Sequence, residues 1–488
     1  MLRLVEELLI EAIDAAQVPG VRFADVRYVG PRRYQRFAVK NGTAESLTDI
    51  FEAGIGIRVL RERGWGFAAT SEATLASVRT AAKTAERLAR ASERTSKERV
   101  PFVEEAKLPR NGSYSTPMKE DPFQIGTEQK IELLKDAESR LHTDPSVKSG
   151  KTSITLWQEE KWYRSTEGAS YRASITHVGG GLEATAVGEG EVQRRSYPNS
   201  FGGDFAQAGF EFIRGMDLPG HAEECGRTAH ALLTAPACPQ GELDLVLASD
   251  QLGLQVHESV GHATELDRVL AFEAGFAGTS FVKTQDVGRL RYGSPAMTIE
   301  ADATCEGGLG SFPWDDEGVP GRRYPLVKEG LLQGFLSSRE TAGRLGLPRS
   351  GGTARADGWS RTPLIRMTNV NLAPGDRSRE ELLRGVKDGV YMETNRSWSI
   401  DDKRLNFQFG CEVGRKVQHG ELGELVRNPI YSGMTPVFWN SLAATSDRNS
   451  WHLWGLPNCG KGQPGQVGHV SHGAPVGHFT KVRIGGTA

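Results

Sequence analysis

The chain has 488 residues, enough at about 150 residues per domain for two or three domains with sizeable cores. Its 59 basic and 61 acidic residues are interleaved and leave a net charge of −2, which argues against direct nucleic-acid binding or an anionic lipid surface as partner. No run approaches the roughly 18 continuous apolar residues of a membrane span, so no membrane partner is expected. The five cysteines, Cys225, Cys238, Cys305, Cys411 and Cys459, are odd in number and lack C-x-x-C spacing. This argues against a disulfide framework or zinc ribbon and suits a reducing, cytoplasmic location.

The first element, "MLRLVEELLIEAIDAAQ", places Leu2, Val5, Leu9, Ala12 and Ala16 on one stripe with acidic residues elsewhere. That is a surface helix and not a signal peptide. "RYQRFAVKNGTAESL" is a hairpin signal with Asn41-Gly42 at a type I′ turn, and "GIGIRVL" and "GWGFAAT" form a further pair. Ser71 is placed to cap a helix from about Glu72 to Ala91. Residues 97–126, with Pro101, Pro109, Pro117 and Pro122, read as an excursion or linker. A helix at "EQKIELLKDAESRL" and alternating segments then repeat the helix-then-strands order.

These signals predict an α+β fold in which an N-terminal domain over 1–235 holds an antiparallel sheet flanked by helices. The C-terminal domain, 236–488, opens on the strand "PQGELDLVLA" and a helix capped by Ser249 or Asp250. It continues as a mostly antiparallel β domain, a sandwich or partly closed barrel, interrupted by a helix at "SREELLRGVKDGV".

The helix after Ser249 carries "HESVGHATELD". In the zincin pattern H-E-x-x-H the histidines lie about 40° apart around a helix; at the five-residue spacing of His257 and His262 they diverge by about 140°. A single π-turn absorbs one extra residue, and Gly261 tolerates unusual backbone angles. With that distortion His257 and His262 become imidazole ligands of one ion, and Glu258 faces the water bound to it as general base.

A catalytic zinc needs a third protein ligand. Candidates are Glu265 and Asp267 nearby, Cys459 in "LPNCGKGQPGQ" with Lys461 to favour its thiolate, and His469, His472 and His478, whose simpler reading is a mobile surface tail. Asp315, Asp316 and Glu317 read more simply as a turn held by Asx-type hydrogen bonds than as a second cation site. Arg366 and Asn369 either bind substrate backbone or buttress the domain. Trp398, Trp439, Trp451 and Trp454 fit a core better than a peptide-stacking surface. The glycine run "HVGGGLEATAVGEGE" lacks the sequence context of a phosphate loop.

With "HESVGHATELD" and "CGKGQ" taken together, the chain resembles the TldD/PmbA family of modulators of DNA gyrase. "NGTAESLTDIFEAGIGIRVLRERGWGFAAT", "DDEGVPGRRYPLVKEGLLQGFLSSRETAGRLG" and "IRMTNVNLAPG" add to the likeness in order. The segment 391–413 and the histidine-rich "SHGAPVGHF" depart from it. The resemblance implies a catalytic TldD-type zinc metallopeptidase that trims unfolded or small peptides. His257, His262 and Cys459 would hold the zinc and Glu258 would be the base. It also implies a dimer, either a homodimer or a heterodimer with a PmbA-like partner. The rival reading is a non-cleaving peptide-binding modulator, for which a carboxylate at Glu258 has no evident use. A zinc hydrolase of small molecules is a third option.

Overall fold

The computed structural model describes residues 2–105, 111–188 and 190–485; of the four prolines in the expected linker, Pro109 lies outside them. Strands Phe23–Lys40 and Thr43–Leu60 form the long first hairpin, with Asn41 and Gly42 at φ 48° and 75°, as a type I′ turn requires. Trp65–Thr70 joins on one side and Val147–Ser165 and Ser170–Gly188 on the other, within an eight-stranded sheet. Strand Asn111–Ser115 pairs in parallel with Ser170–Gly188, so the expected linker contains an element. Five residues pairing with a partner some sixty positions away leave no local periodicity to read.

Side-chain alternation sends the two faces of this sheet to different neighbours. Ala24, Val26, Ile55, Ile57 and Val59 pack under helices Leu2–Ala16 and Leu75–Thr95, while Leu134, Ala137, Ala229 and Leu233 from helices Thr127–Ser139 and Leu218–Thr234 cover the next strands. Asp25, Arg27, Arg58 and Lys161 face the C-terminal half, where Arg58 Nη1 reaches Glu317 at 3.1 Å and Lys161 Nζ reaches Asp316 at 3.0 Å. The second helix begins later than expected, at Leu75, because Thr74 and Ser77 satisfy each other's backbone N–H groups in a reciprocal cap that Ser71 cannot make.

In the C-terminal half five strands close into a barrel. Asp388–Ile400 pairs with Gly241–Leu247 in parallel and with Asn406–Gln418 antiparallel, and Ile430–Met434 and Gly477–Ile484 complete the circuit back to Gly241–Leu247. Closure removes the free edges an open sandwich would leave. The expected helix at 378–390 is confined to Arg379–Arg384, because Ser378 caps it and Gly385 ends it before the barrel strand starts at Asp388. A second sheet runs Arg323–Lys328, Ile299–Asp302, Asn369–Leu372, Gln466–Ala474, His452–Lys461, with only the 369–372 and 466–474 strands parallel. Helix Ser249–Val256 lies between barrel and sheet, packed on Asp388–Ile400 and Gln466–Ala474. Its N-cap is Ala248; Ser249 Oγ donates instead to Ala474 O at 2.6 Å, and Asp250 accepts from Thr394 Oγ1 at 2.7 Å. The residues expected to cap this helix thus tie it to its neighbours.

Candidate metal centre

Helix Ser249–Val256 does not continue regularly. Residues His257–Gly261 form a π-turn, closed by His262 N donating to His257 O, and His262–Thr264 tighten into a 3-10 turn. The widened turn brings the two imidazoles onto one side, with ring centroids 4.7 Å apart and planes at 84°. Ser259, on the other side, anchors the distortion: it accepts from Trp439 Nε1 at 2.9 Å through Oγ and from the Tyr292 hydroxyl through its carbonyl. Gly261 is needed for a different reason than its backbone freedom. Its φ and ψ, −53° and −61°, are ordinary helical values, but a Cβ would stand 2.2 Å from Met367 Sδ.

Cys459 belongs to the strand His452–Lys461, which ends against this turn, and it is buried and not in an open polar loop. Its Sγ lies 3.7 Å from His262 Nε2, and one donor atom from each of His257, His262 and Cys459 falls within 4.8 Å of the others. Two donors at about 2.3 Å (sulfur) and 2.0–2.1 Å (nitrogen) around one tetrahedral zinc are about 3.6 Å apart, so the sulfur–nitrogen distance suits a shared ion.

Hydrogen bonding fixes which nitrogens are free. His472 Nδ1 faces Val370 O at 3.0 Å; a carbonyl only accepts, so the proton is on Nδ1 and His472 Nε2 is bare. His257 Nδ1, 2.7 Å from that Nε2, must then donate, leaving the lone pair of His257 on its own Nε2. His262 Nδ1 donates to Glu265 Oε2 at 3.0 Å, which leaves its Nε2 bare toward Cys459. Such outer partners fix tautomer and ring orientation in metal-binding histidines. Burial pulls the His257 imidazole down to about 4, so it is neutral at pH 7, and lowers His262 also. Burial pushes the Cys459 thiol up, but His262 and Arg366 together outweigh it and hold it below its usual value. The donor chemistry therefore fits a zinc ion.

The other candidates fall into place around this trio. Glu265 is a partner of His262 and not a third donor; burial disfavours its charge, but Lys461 and His262 hold it well below the usual carboxylate range. Lys461 does not serve the thiol. Its Nζ is buried between Asp267, at 2.8 Å, and Ile365 O, at 3.0 Å. The C-terminal histidines are not a mobile tail, because strands Gln466–Ala474 and Gly477–Ile484 are sheet and barrel members. His469 Nδ1 lies 2.8 Å from His177 Nδ1, and His478 Nε2 lies 3.0 Å from Asp244.

Arg366 buttresses the cysteine strand through Cys459 O and Gln466 O, and Asn369 braces Asp302 and Ser311. Asp315 is the Asx-type turn residue, its Oδ1 accepting from Glu317 N and Val319 N at 2.9 Å each. Trp439 is core, Trp451 and Trp454 bind backbone and Ser249, and Trp398 alone of the four lines the groove over the trio.

That groove, of about 490 Å³, is lined by His257, Glu258, His262 and Cys459 together with Phe201, Leu254, Trp398 and Arg404. Glu258 Oε2 pairs with Arg404 Nη1 at 2.6 Å. Sequence reading missed Arg404 and Phe201. Both lie on turns remote in sequence, and the only local signal for Arg404 is the hairpin tip "DDKR".

Family models of the PmbA/TldA metallopeptidases match along the chain: domain 1 at 24–89, the central domain at 120–233 and the C-terminal domain at 240–486. The chain belongs to the PmbA/TldD metallopeptidase family. A metalloprotease of Methanocaldococcus jannaschii is 30% identical over 411 residues, 84% of this chain and 86% of that protein. A zinc metalloprotease TldD homolog of Saccharolobus solfataricus is 27% identical over 499 residues, 98% of this chain and all of the other. The structure of TldE from Thermococcus kodakarensis shares the fold, with a TM-score of 0.74 at 17% identity over 99% of this chain and 100% of that one. No helix among the described residues is long and apolar enough to cross a membrane.

Proposed function

We propose that this chain is a zinc-dependent peptidase acting on unfolded or small peptides, with His257, His262 and Cys459 as metal ligands and Glu258 as general base. The observation that carries the reading is the convergence of two bare imidazole nitrogens and a thiol of lowered pKa beside a carboxylate in an open groove. Zinc held by the trio would supply a Lewis acid that activates water near neutral pH. Glu258, adjacent to His257 on the π-turn, is placed to accept a proton from the attacking water and return it to the leaving amine. Burial disfavours charge on the two imidazoles, and His472 and Glu265 hold them in the tautomer that leaves Nε2 bare.

Two features support peptide as the substrate. The strand bearing Cys459 is the edge of its sheet, the position at which an extended peptide adds as a further strand, although Cys459 O itself is taken by Arg366. Phe201, Leu254, Trp398 and Leu456 give the groove apolar walls for side chains. Pairing through main-chain groups suits unfolded chains, since it needs no particular sequence. We further propose that the protein works as a dimer, with a copy of itself or with a PmbA-like relative, in the cytoplasm.

The direct test is cleavage of an unstructured peptide followed by mass spectrometry. Wild-type protein with zinc should generate new N-termini, and Glu258→Gln should not while still holding zinc. Full activity in Glu258→Gln would refute the mechanism; peptide binding that is indifferent to chelators, without any cleavage, would favour the non-cleaving modulator.

A further inference from the structure

The hairpin joining Asp388–Ile400 to Asn406–Gln418 ends in a tip fixed from several directions. Asp401 accepts from Leu405 N at 2.8 Å and Asn406 N at 3.1 Å, Arg404 N donates to Asp401 O at 2.9 Å, and Thr435 Oγ1 donates to Arg404 O at 2.7 Å. Within this frame Arg404 has φ 62°, a left-handed conformation unfavourable for a residue with a long side chain. Such a conformation persists where the surroundings over-determine it. Its result here is that the guanidinium enters the groove beside the trio.

In the groove Arg404 pairs with Glu258 through Nη1, while its Nε is buried with no partner among the described residues. A guanidinium carries five donors in a rigid fork, so one arm can hold a carboxylate while others address a second acceptor. Arg58, at the acidic turn, by contrast uses Nε, Nη1 and Nη2 on Asp25 and Glu317.

We propose that Arg404 is a catalytic residue of the peptidase reaction inferred above, on which this assignment rests: it donates to the carbonyl oxygen of the scissile bond and stabilises the negative charge that develops there. In that reaction the water oxygen bonds to the carbonyl carbon as its proton passes to Glu258, and the C=O π pair moves onto the carbonyl oxygen. The pair then returns, the C–N bond breaks, and Glu258 delivers the proton to the departing nitrogen. A guanidinium hydrogen-bonded to the proton-carrying carboxylate is within reach of the same carbon, and charge placed there acts only as the oxygen becomes negative. Loss of one such donor lowers kcat by about 10²- to 10³-fold.

The test uses the zinc-loaded protein with two uncleavable versions of one substrate peptide. One is a phosphinic pseudopeptide, with a charged tetrahedral oxygen at the scissile position, and the other is a neutral ketomethylene isostere. Arg404→Ala should weaken the phosphinic compound about 10²- to 10³-fold and lower kcat similarly, with KM, isostere affinity and zinc content near wild type. Arg404→Lys should fall between, and its thermal midpoint separates a folding defect from a chemical one. Equal losses for both compounds, or unchanged phosphinic affinity, would overturn the assignment while wild-type cleavage leaves the peptidase reading intact. A wild-type protein that cuts no peptide would instead remove that reading and this one together.

Discussion

Two buried polar clusters lie in the C-terminal half, and they are built on opposite principles. Around Asp315, Asp316 and Glu317 the carboxylates are matched: Asp315 takes three backbone N–H groups, Asp316 takes Lys161 and Ala356 N, and Glu317 takes Arg58 and Arg339 N. Around His257, His262 and Cys459 the outer nitrogens are matched in the same way, but the inner atoms converge on one another with lone pairs left over. The first arrangement joins the N-terminal sheet to the C-terminal half, with every carboxylate hydrogen-bonded. The second has the donor set that a cation would complete. Burial and charge alone do not separate the two; the inventory of donors and acceptors does.

The contrast can be broken by mutation. The largest effect belongs to the groove: Glu258→Gln should reduce peptide cleavage by at least about 10²- to 10⁴-fold without changing the melting temperature or zinc content. Next, Cys459→Ala should strip zinc from the protein, measured by elemental analysis after dialysis. Unchanged zinc content would move the third ligand elsewhere. In the matched cluster the pattern should invert. Glu317→Ala leaves Arg58 with Asp25 alone and Arg339 N without its acceptor, so a loss of about 3–5 kcal/mol in denaturant unfolding is expected, with zinc content preserved.

A further buried carboxyl sharpens the comparison through pH. Glu412, which accepts from Ser196 N and Arg194 across the two halves, is lifted to about 7 by burial, against the pull of Arg194 and Arg195. The unfolded chain releases that proton near 4.5. The stabilising contribution is therefore fully present below about pH 4.5 and is lost as pH rises through about 7. Glu412→Gln should flatten this part of the stability profile; an unchanged slope would show that the carboxyl is ionised throughout. The smallest effect is local: Thr74→Ala should cost about 1 kcal/mol by removing the cap of helix Leu75–Thr95.

What could be read from the sequence follows the range of the physics involved. The Asn41-Gly42 turn, the long hairpin and the capped helix at 379 depend on neighbours in sequence and were visible there. The π-turn was legible as well, since five-residue spacing leaves few other ways to bring His257 and His262 together. Cys459 as their companion came from family resemblance, since nothing local ties residue 459 to residue 262. The roles of His472 and Glu265 escaped because an outer partner looks like a ligand until the ring nitrogens are assigned. Gly261 was expected for its backbone and is needed for the space Met367 takes, a tertiary contact that no propensity encodes.

The central claim is that one zinc is held jointly by the π-turn and the cysteine strand. X-ray absorption at the zinc edge of the purified protein tests it most directly. The account predicts one sulfur at about 2.3 Å and two imidazole nitrogens at about 2.0–2.1 Å, with the sulfur shell lost in Cys459→Ser. A zinc shell made of nitrogen and oxygen alone in the wild-type protein would contradict it.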